Sequence, residues 1–299
     1  MKFYHSFIAL PFIFIGLAFI QKDKFEIIQP GAVLEKLADG FLFTEGPTPD
    51  SKGNVYFTDQ PNDRIMIWSI DGKFSTFMQP CGRSNGMAFD IYGNLWTCAD
   101  ENNELWCIAP DKSIKIIPSK YKDNLLNGPN DLWIAQDKGI YFTDPFYKRS
   151  WWSHSSMPQD VQGVYYLNPD QNKITRVIDD LIQPNGVVGT PDGKTLYVAD
   201  IGGNKTWSYT IEKDGSLSHK TLFCEMGSDG MTIDEQGNIY LTGKGVTIFD
   251  RKGNKIGNIV VPEDWTANVC FGDRDMKSLF ITASKGLYRI RIKVKGTAG

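Results

Sequence analysis

The stretch "EGPTPDSKGNVYFTD", residues 45–59, shows the pattern on which the whole chain is built. It opens with a polar residue, continues into a short strand-like run, turns at Asp and Gly, and ends in an aromatic strand that closes with Thr-Asp. The same order returns in "NGMAFDIYGNLWTCAD" (85–100) and in "NGVVGTPDGKTLYVAD" (185–200). Self-similarity at a regular spacing is typical of proteins that are assembled from repeated units.

Six units follow this pattern, the last of them in degenerate form. Their first residues, which we call the openers, are Glu45, Asn85, Asn130, Asn185, Asp229 and Asn268. Successive openers are 39 to 45 residues apart, except for an interval of 55 residues between the third and the fourth. Four units place a Gly eight residues after the opener, where a tight hairpin turn often requires positive φ. The third and sixth units have Gly139 and Lys277 nine residues on.

Six units of about forty residues, each with room for four strands, predict an all-β fold, a six-bladed β-propeller. A β-sandwich is the alternative, but its strands would not explain six openers in one register. The last unit supplies three strands, ending at "GLYRIRI" (286–292), and "AVLEKLA" (32–38) can supply the fourth. We expect this N-terminal strand to close the ring, because closure removes open sheet edges. Residues 21–299 are therefore predicted to form one propeller domain.

The first twenty residues differ from the rest of the chain. Lys2 and His5 precede an uncharged run over residues 7–20, which is short for a bilayer span and typical of a secretory signal. Small residues suited to cleavage are missing at its end, so an N-terminal anchor is the alternative. We expect residues 1–20 to be a signal peptide or anchor and the protein to be exported, periplasmic or extracellular. No stable membrane partner is expected beyond such an anchor.

Composition argues against a nucleic-acid-binding protein and leaves the role of the cysteines open. Charged residues make up 22% of the 299-residue chain and the net charge is -3, which gives no electrostatic footprint for nucleic acid. Five Cys residues leave one unpaired in an exported protein. Cys98 and Cys107 flank one predicted hairpin and can face each other, whereas Cys81, Cys224 and Cys270 equally fit small core positions.

The openers indicate a metal site. The first strand of each propeller blade lines the central channel, so side chains at its start converge at one mouth. Two of the six openers are carboxylates, four are amides, and none is Lys or Arg. The two carboxylates would repel each other, and burial of their charges is unfavourable unless a cation binds between them. Ligands that are all oxygen indicate a hard ion such as Ca²⁺ or Mg²⁺. Asn-Gly is also a common turn dipeptide, so a turn role is equally open for Asn85 and Asn268.

The chain resembles the family of gluconolactonases and senescence marker protein (regucalcin), which are six-bladed propellers with one catalytic metal at the channel mouth. Four motifs carry the resemblance in order: "TEGP" with Glu45, "NGPND" with Asn130, "QPNG" with Asn185 and "SDGM" with Asp229. It spans nearly all of residues 45–292. The resemblance implies that Glu45, Asn185 and Asp229 bind the metal directly. It places Asn130 beside metal and substrate, and in relatives this Asn is also a ligand.

The resemblance implies a metal-dependent lactonase that opens sugar lactones. The metal would polarise the lactone carbonyl, and water activated by the metal or by Asp229 as general base would attack it. Ca²⁺ is expected first, although Mg²⁺, Mn²⁺ and Zn²⁺ occupy related sites. Two alternatives stay open: hydrolysis of phosphotriesters or other esters on the same site, and a propeller without activity in which a metal staples the channel or which serves as a binding module.

Histidine usage argues against two other kinds of hydrolase. The chain has three His residues, of which His5 lies in the N-terminal segment and His219 follows a turn. No Gly-x-Ser-x-Gly motif is present, which argues against a serine hydrolase. The shortage of His also argues against paraoxonase-type propellers, which resemble this chain but place His near their metal.

The stretch "PFYKRSWWSHSSMPQDVQG" (145–163) explains the long third interval. It interrupts the repeat after a strand, on a connection that can overhang the channel mouth, where Trp151 and His154 would contact a sugar ring. A surface insertion that packs its Trp pair on a neighbouring blade is the alternative. Regucalcin-like members place an Arg near the third opener, and here Asn127 is expected in that role. We also expect Asn85 and Asn130 to contact substrate.

Overall fold

The computed structural model describes residues 27–117 and 120–297. The first strand along the chain, β1 (Glu35–Ala38), belongs to the last blade. The predicted signal or anchor segment, residues 1–20, lies outside the described residues. Within the described residues, no helix is both long and apolar enough to cross a membrane.

The first three sequence units each form a four-stranded antiparallel sheet, and the strands follow one another in chain order. Blade 1 consists of β2 (Thr44–Pro49), β3 (Val55–Asp59), β4 (Arg64–Trp68) and β5 (Phe74–Met78), with a 3₁₀ turn at Gln60–Asn62. Blade 2 consists of β6 (Ser84–Phe89), β7 (Leu95–Ala99), β8 (Glu104–Ile108) and β9 (Ile114–Ile117). A small hairpin of β10 (Lys120–Tyr121) and β11 (Asn124–Leu125) follows. Blade 3 consists of β12 (Leu132–Ile134), β13 (Ile140–Asp144), β14 (Gly163–Leu167) and β15 (Ile174–Ile178).

The other three units repeat this arrangement and complete the six predicted blades. Blade 4 consists of β16 (Pro184–Gly189), β17 (Thr195–Asp200), β18 (Lys205–Ile211) and β19 (Leu217–Cys224). Blade 5 consists of β20 (Met231–Ile233), β21 (Ile239–Gly243), β22 (Gly245–Phe249) and β23 (Lys255–Ile259). Blade 6 consists of β24 (Thr266–Gly272), β25 (Ser278–Ala283), β26 (Gly286–Arg291) and the N-terminal strand β1.

The ring closes as the sequence predicts. β1 pairs antiparallel with β26, with Glu35 opposite Arg289, and an ion pair of 2.7 Å joins these two side chains. The contact continues upstream, where Ile28 forms a bridge with Ile292. The other end of the chain therefore supplies the fourth strand of blade 6, which covers the edge of β26 and joins both ends of the chain in one sheet.

The turn between the first two strands of each blade needs a left-handed residue eight positions after the opener. That position has positive φ in all six blades: Gly53, Gly93, Lys138, Gly193, Gly237 and Met276. The third and sixth units therefore keep the turn without a Gly at this position, and Gly139 and Lys277 lie one residue beyond it. In blades 1, 2 and 5 the turn is fixed by an Asp that accepts hydrogen bonds from the Asn four residues on, as Asp50 does from Asn54.

Apolar side chains fill the space between neighbouring sheets. One cluster joins blades 3, 4 and 5 through Tyr141, Leu196 and Ile239, all of which are fully buried. The five Cys residues are free thiols. Cys98 lies opposite Leu105 and Cys107 opposite Trp96, so the two thiols that flank the predicted hairpin do not pair across it.

Candidate active site

Bulges interrupt the first strand beside the opener in four of the six blades. In blade 1, Glu45 lies opposite Thr58 and Thr48 opposite Tyr56, so β2 holds one residue more than β3 between these pairs. Blades 2, 4 and 6 show the same register shift beside their openers. A β-bulge re-aims a side chain, and such bulges are common next to active sites. The openers lie within or just before these strands, and the sequence motif therefore encodes a bend as well as a polar group.

Neighbouring openers touch around the ring. A Cβ atom at Gly46, the residue after the first opener, would overlap the backbone carbonyl of Asn85. A Cβ atom at Gly230 would overlap the side chain of Asn268. Between blades 2 and 3, the Gly86 amide donates a hydrogen bond of 2.7 Å to the Asn130 carbonyl. The glycine that follows four of the openers is thus required by the close approach of adjacent blades, which brings the starts of neighbouring first strands together.

Two carboxylates, Glu45 of blade 1 and Asp229 of blade 5, share this mouth. Glu45 is buried, and burial together with the charge of Asp229 raises the pKa of Glu45 well above its ordinary value. Both oxygens of Asp229 accept hydrogen bonds, Oδ1 from Asn185 Nδ2 at 2.8 Å and Oδ2 from Trp265 Nε1 at 2.6 Å. Burial raises the pKa of Asp229, and these two donors lower it. Two mutually repelling carboxylates in this setting favour a bound cation.

Unpartnered oxygens complete a donor set for a hard cation. The Oδ1 atoms of Asn85 and Asn185 are buried and have no hydrogen-bond partner among the described residues. Buried polar atoms are nearly always satisfied, so such atoms at a mouth point to a ligand outside the chain. No group of three or more His, Cys, Asp or Glu that could hold a metal occurs in residues 27–117 and 120–297. A cation here would rely on amide oxygens beside the two carboxylates, which suits a hard ion.

Asp131 is a third acidic residue that sequence reasoning missed. Its fully buried carboxylate lies against Gly86 and Asn268 and lines a channel cavity of about 70 Å³ beneath the openers. Burial raises the pKa of Asp131 to about 7, and hydrogen bonds from Leu132 and from Asn268 oppose the rise. Its only signal in the sequence is its position directly after the opener Asn130. The backbone of Asn130 is held by Thr143 and Gly86, at 2.9 Å and 2.7 Å.

The insertion between β13 and β14 covers part of the mouth. It spans residues 145–162, and it reaches blade 4 through Tyr147, whose hydroxyl accepts a hydrogen bond of 2.8 Å from Asn185 Nδ2. It reaches blade 2 through Trp152, whose Nε1 donates to the Asp100 carbonyl at 2.7 Å. Arg149 Nε donates to the Asp100 carboxylate at 2.8 Å. The insertion therefore spans the mouth from blade 2 to blade 4, as its position in the repeat suggested.

The two predicted contact residues of the insertion lie in different surroundings. The guanidinium groups of Arg83 and Arg149 lie 4.4 Å and 5.4 Å from the ring centroid of Trp151, whose contact with a sugar ring stays a prediction. His154 stacks on Trp152 with ring centroids 4.8 Å apart, and its buried Nε2 has no hydrogen-bond partner among the described residues. His154 thus keeps a free polar atom, and its contact with substrate stays a prediction.

Asn127 has the surroundings of a structural residue. Its Nδ2 donates to the backbone carbonyls of Asp144 and Val161, at 3.2 Å and 2.9 Å, and its Oδ1 accepts from the Gln159 amide at 2.9 Å. The side chain is fully buried. Because its polar atoms already bind the insertion to blade 3, this geometry favours a role in holding the insertion over the substrate contact that we expected. The motif "NGPND" alone does not tell which of its two Asn residues faces the mouth.

Comparison with known proteins agrees with this architecture. The model of the SMP-30/Gluconolactonase/LRE-like region family matches residues 43–285, which include all six openers. The chain belongs to this family. A gluconolactonase of Zymomonas mobilis subsp. mobilis is 29% identical to it, over 90% of this chain and 84% of that protein.

Solved structures of the SMP-30/gluconolactonase family share the fold. A gluconolactonase from Xanthomonas campestris superposes with a TM-score of 0.82 at 28% identity, covering 89% of this chain and 91% of that one. The regucalcin of Agrobacterium tumefaciens, described as a calcium-binding protein, superposes with a TM-score of 0.73 at 19% identity, covering 88% and 94%. The second likeness concerns the fold alone.

Proposed function

We propose that this protein is a metal-dependent lactonase that opens sugar lactones with one bound divalent cation, Ca²⁺ in the first place and Mg²⁺, Mn²⁺ or Zn²⁺ as alternatives. The proposal depends on one observation: two carboxylates, Glu45 and Asp229, meet buried amide oxygens that lack partners at a single channel mouth. The similarity to proteins named gluconolactonase supports the substrate class. Donor atoms that are all oxygen support Ca²⁺ as the first choice of cation.

Glu45, Asn185 and Asp229 would hold the cation, with Asn130 beside them. When bound, the cation supplies Lewis-acid polarisation of the lactone carbonyl. Asn185 suits this position because its Nδ2 is fixed by Asp229 and Tyr147, which leaves Oδ1 aimed at the mouth.

Asp229 is proposed as the general base. It would take a proton from water as the water oxygen bonds to the carbonyl carbon. The ring C–O bond then breaks, and the ring oxygen takes up the proton returned by Asp229 to become the hydroxyl group of the open hydroxy acid. The hydrogen bonds from Asn185 and Trp265 would fix the orientation of the carboxylate throughout.

The other walls of the mouth would bind the sugar. Asn85, through its unpartnered Oδ1, and His154, through its unpartnered Nε2, each offer a polar atom to a ring hydroxyl. The Tyr147 hydroxyl accepts from Asn185, so its own proton is free to donate. Buried polar groups that are satisfied only by substrate give strong discrimination, because an analogue without the matching hydroxyl leaves them unpaired.

Acid release from a neutral gluconolactone, followed with a pH indicator, tests the proposed function. Purified protein is stripped with a chelator, then assayed before and after Ca²⁺ is restored. We expect the stripped protein to lose at least about 90% of its activity and the restored protein to regain it. Activity that is indifferent to the chelator would contradict a metal-dependent reaction. Turnover of a phosphotriester in place of lactones, or tight Ca²⁺ binding without any turnover, would contradict the lactonase assignment.

Trp265 is a positioning residue that the sequence did not reveal, and its role is testable. Trp265→Phe keeps the aromatic ring but removes the 2.6 Å hydrogen bond to Asp229. Loss of a group that orients a metal ligand typically lowers affinity about 10- to 100-fold. We expect a loss of this size in Ca²⁺ affinity, measured by titration calorimetry, and a parallel fall in kcat/KM. Trp207→Phe is the matched control, because Trp207 Nε1 is buried without a partner among the described residues. Equal affinities in wild type and Trp265→Phe would refute the role.

A further inference from the structure

The blade 2 side of the mouth carries positive charge that lactone hydrolysis as described does not use. Two guanidinium groups, those of Arg83 and Arg149, lie on the ring of Trp151. The carboxylate of Asp100 pairs with Arg149 and is almost fully buried. Asp100 Oδ2 accepts from Gln60 Nε2 at 3.1 Å and from Arg149 Nε at 2.8 Å. The cluster is a fixed arrangement with more positive than negative charge.

Arg149 is held by only one of its nitrogens. Among the described residues, Nε alone has a hydrogen-bond partner, the carboxylate of Asp100. The rings of Tyr147 and Trp151 lie 5.3 Å and 5.4 Å from the guanidinium carbon and fix its plane, while the side chain remains 21% exposed. Nη1 and Nη2 are thus left with donors for a group outside the chain.

The free end of Arg149 lies on the catalytic side of the insertion. Its ring neighbour Tyr147 is hydrogen-bonded to Asn185, which is in turn hydrogen-bonded to Asp229. The charge of Arg149 is close enough to lower the pKa of both Tyr147 and Asp229. A ligand that occupied the mouth above Asp229 would therefore meet this guanidinium.

Given the lactonase function proposed above, we propose that Arg149 forms an anion subsite and that the preferred substrates are sugar lactones carrying a carboxylate. The planar guanidinium of Arg149 is held in place through Nε, and its Nη1 and Nη2 can donate two parallel hydrogen bonds to one carboxylate. A neutral lactone offers only hydroxyl groups and would not need it. Neutralisation of Asp100 alone does not explain Arg149, because Asp100 uses only Nε and Arg83 also lies near it.

A pair of lactones with the same ring tests the subsite. One is the neutral 1,4-lactone of gluconic acid; the other is the 1,4-lactone of the matching aldaric acid, which has a carboxylate in place of the terminal CH₂OH. We expect wild type to favour the acidic lactone in kcat/KM by about 10-fold or more. Arg149→Gln should lower this preference at least about 10-fold. Arg149→Lys should keep part of the preference, because Lys retains the positive charge but lacks the planar pair of donors.

Lys148→Gln is the matched control, because it removes the same charge from the exposed neighbouring residue. It should leave the ratio of the two kcat/KM values within about 2-fold. A wild-type ratio near one, or an equal loss on both lactones in Arg149→Gln, would overturn the subsite and leave Arg149 as a support for Asp100.

A binding measurement separates this proposal from the proposed function. If wild type hydrolyses neither lactone, the lactonase proposal fails, and calorimetric titration with the open dicarboxylate and the open monocarboxylate still tests the subsite. We expect at least about 10-fold tighter binding of the dicarboxylate by wild type, and loss of that difference in Arg149→Gln. Equal binding of the two acids by wild type would refute the subsite.

Discussion

Asp229→Asn is expected to lower kcat for lactone hydrolysis by about 10³-fold, within the range of about 10² to 10⁴ found when a general base is removed. The substitution keeps the shape of the side chain but abolishes its proton affinity. It also places an NH₂ group where one of the two carboxylate oxygens now accepts from Asn185 or Trp265, so one of these hydrogen bonds is lost. Measurement of kcat at saturating Ca²⁺, with metal occupancy checked by calorimetry, separates loss of the base from loss of the cation.

Asp123→Asn provides the control for this experiment. Asp123 is exposed and has a φ of 66°, a conformation that Asn adopts readily, so the same chemical change there should leave kcat and the melting temperature unaltered. A fully active Asp229→Asn variant with metal bound would refute the general base. The water would then have to lose its proton to another group at the mouth.

The architecture is predictable because each part of it repeats. Each of the six units contains a strand, a turn and a second strand at the same distances from its opener. A chance pattern would not keep this spacing in all six units. The 55-residue interval correctly locates the insertion after β13, and the unpaired fourth strand of blade 6 correctly identifies β1 as the closing strand. The hairpin turn that Gly indicates in four units also forms in the other two, because Lys138 and Met276 adopt the same left-handed conformation.

The details of the site could not be predicted, because they depend on contacts that occur only once. Trp265 reaches Asp229 from the loop before β24, across 36 residues, and within residues 27–117 and 120–297 no other unit repeats that contact. The side-chain amide of Asn127 donates to the carbonyl of Val161, 34 residues further along. The ring of Trp151 lies near the guanidinium groups of both Arg83 and Arg149, and no repeat of the sequence predicts that contact. The sequence repeat therefore predicts the fold. The side chains that distinguish the site of one propeller from that of another occur once and follow no repeat.

Glu45→Gln should separate stability from function more sharply than any other single change. In the metal-free protein, Glu45 is a buried acid that the charge of Asp229 further destabilises when it is ionised. An amide of the same size removes both costs, so we expect the metal-free variant to melt about 2 to 6 °C above metal-free wild type, which corresponds to about 1–3 kcal/mol. The same change removes one of the two charges that hold the cation. Lactone hydrolysis should fall at least about 100-fold at Ca²⁺ concentrations that saturate wild type.

Thermal unfolding with chelator and with Ca²⁺ measures both effects. Wild type should gain about 2.7 kcal/mol at a Ca²⁺ concentration of about 100 times its Kd, whereas Glu45→Gln should gain much less. Glu225→Gln, which changes an exposed glutamate, should behave like wild type in both conditions. A metal-free Glu45→Gln protein that melts below wild type would mean that the hydrogen bond from the Gly46 amide to Glu45 outweighs burial and repulsion. Because the variant should be the more stable protein without metal and should gain much less from Ca²⁺ than wild type, a general weakening of the fold cannot imitate the expected result.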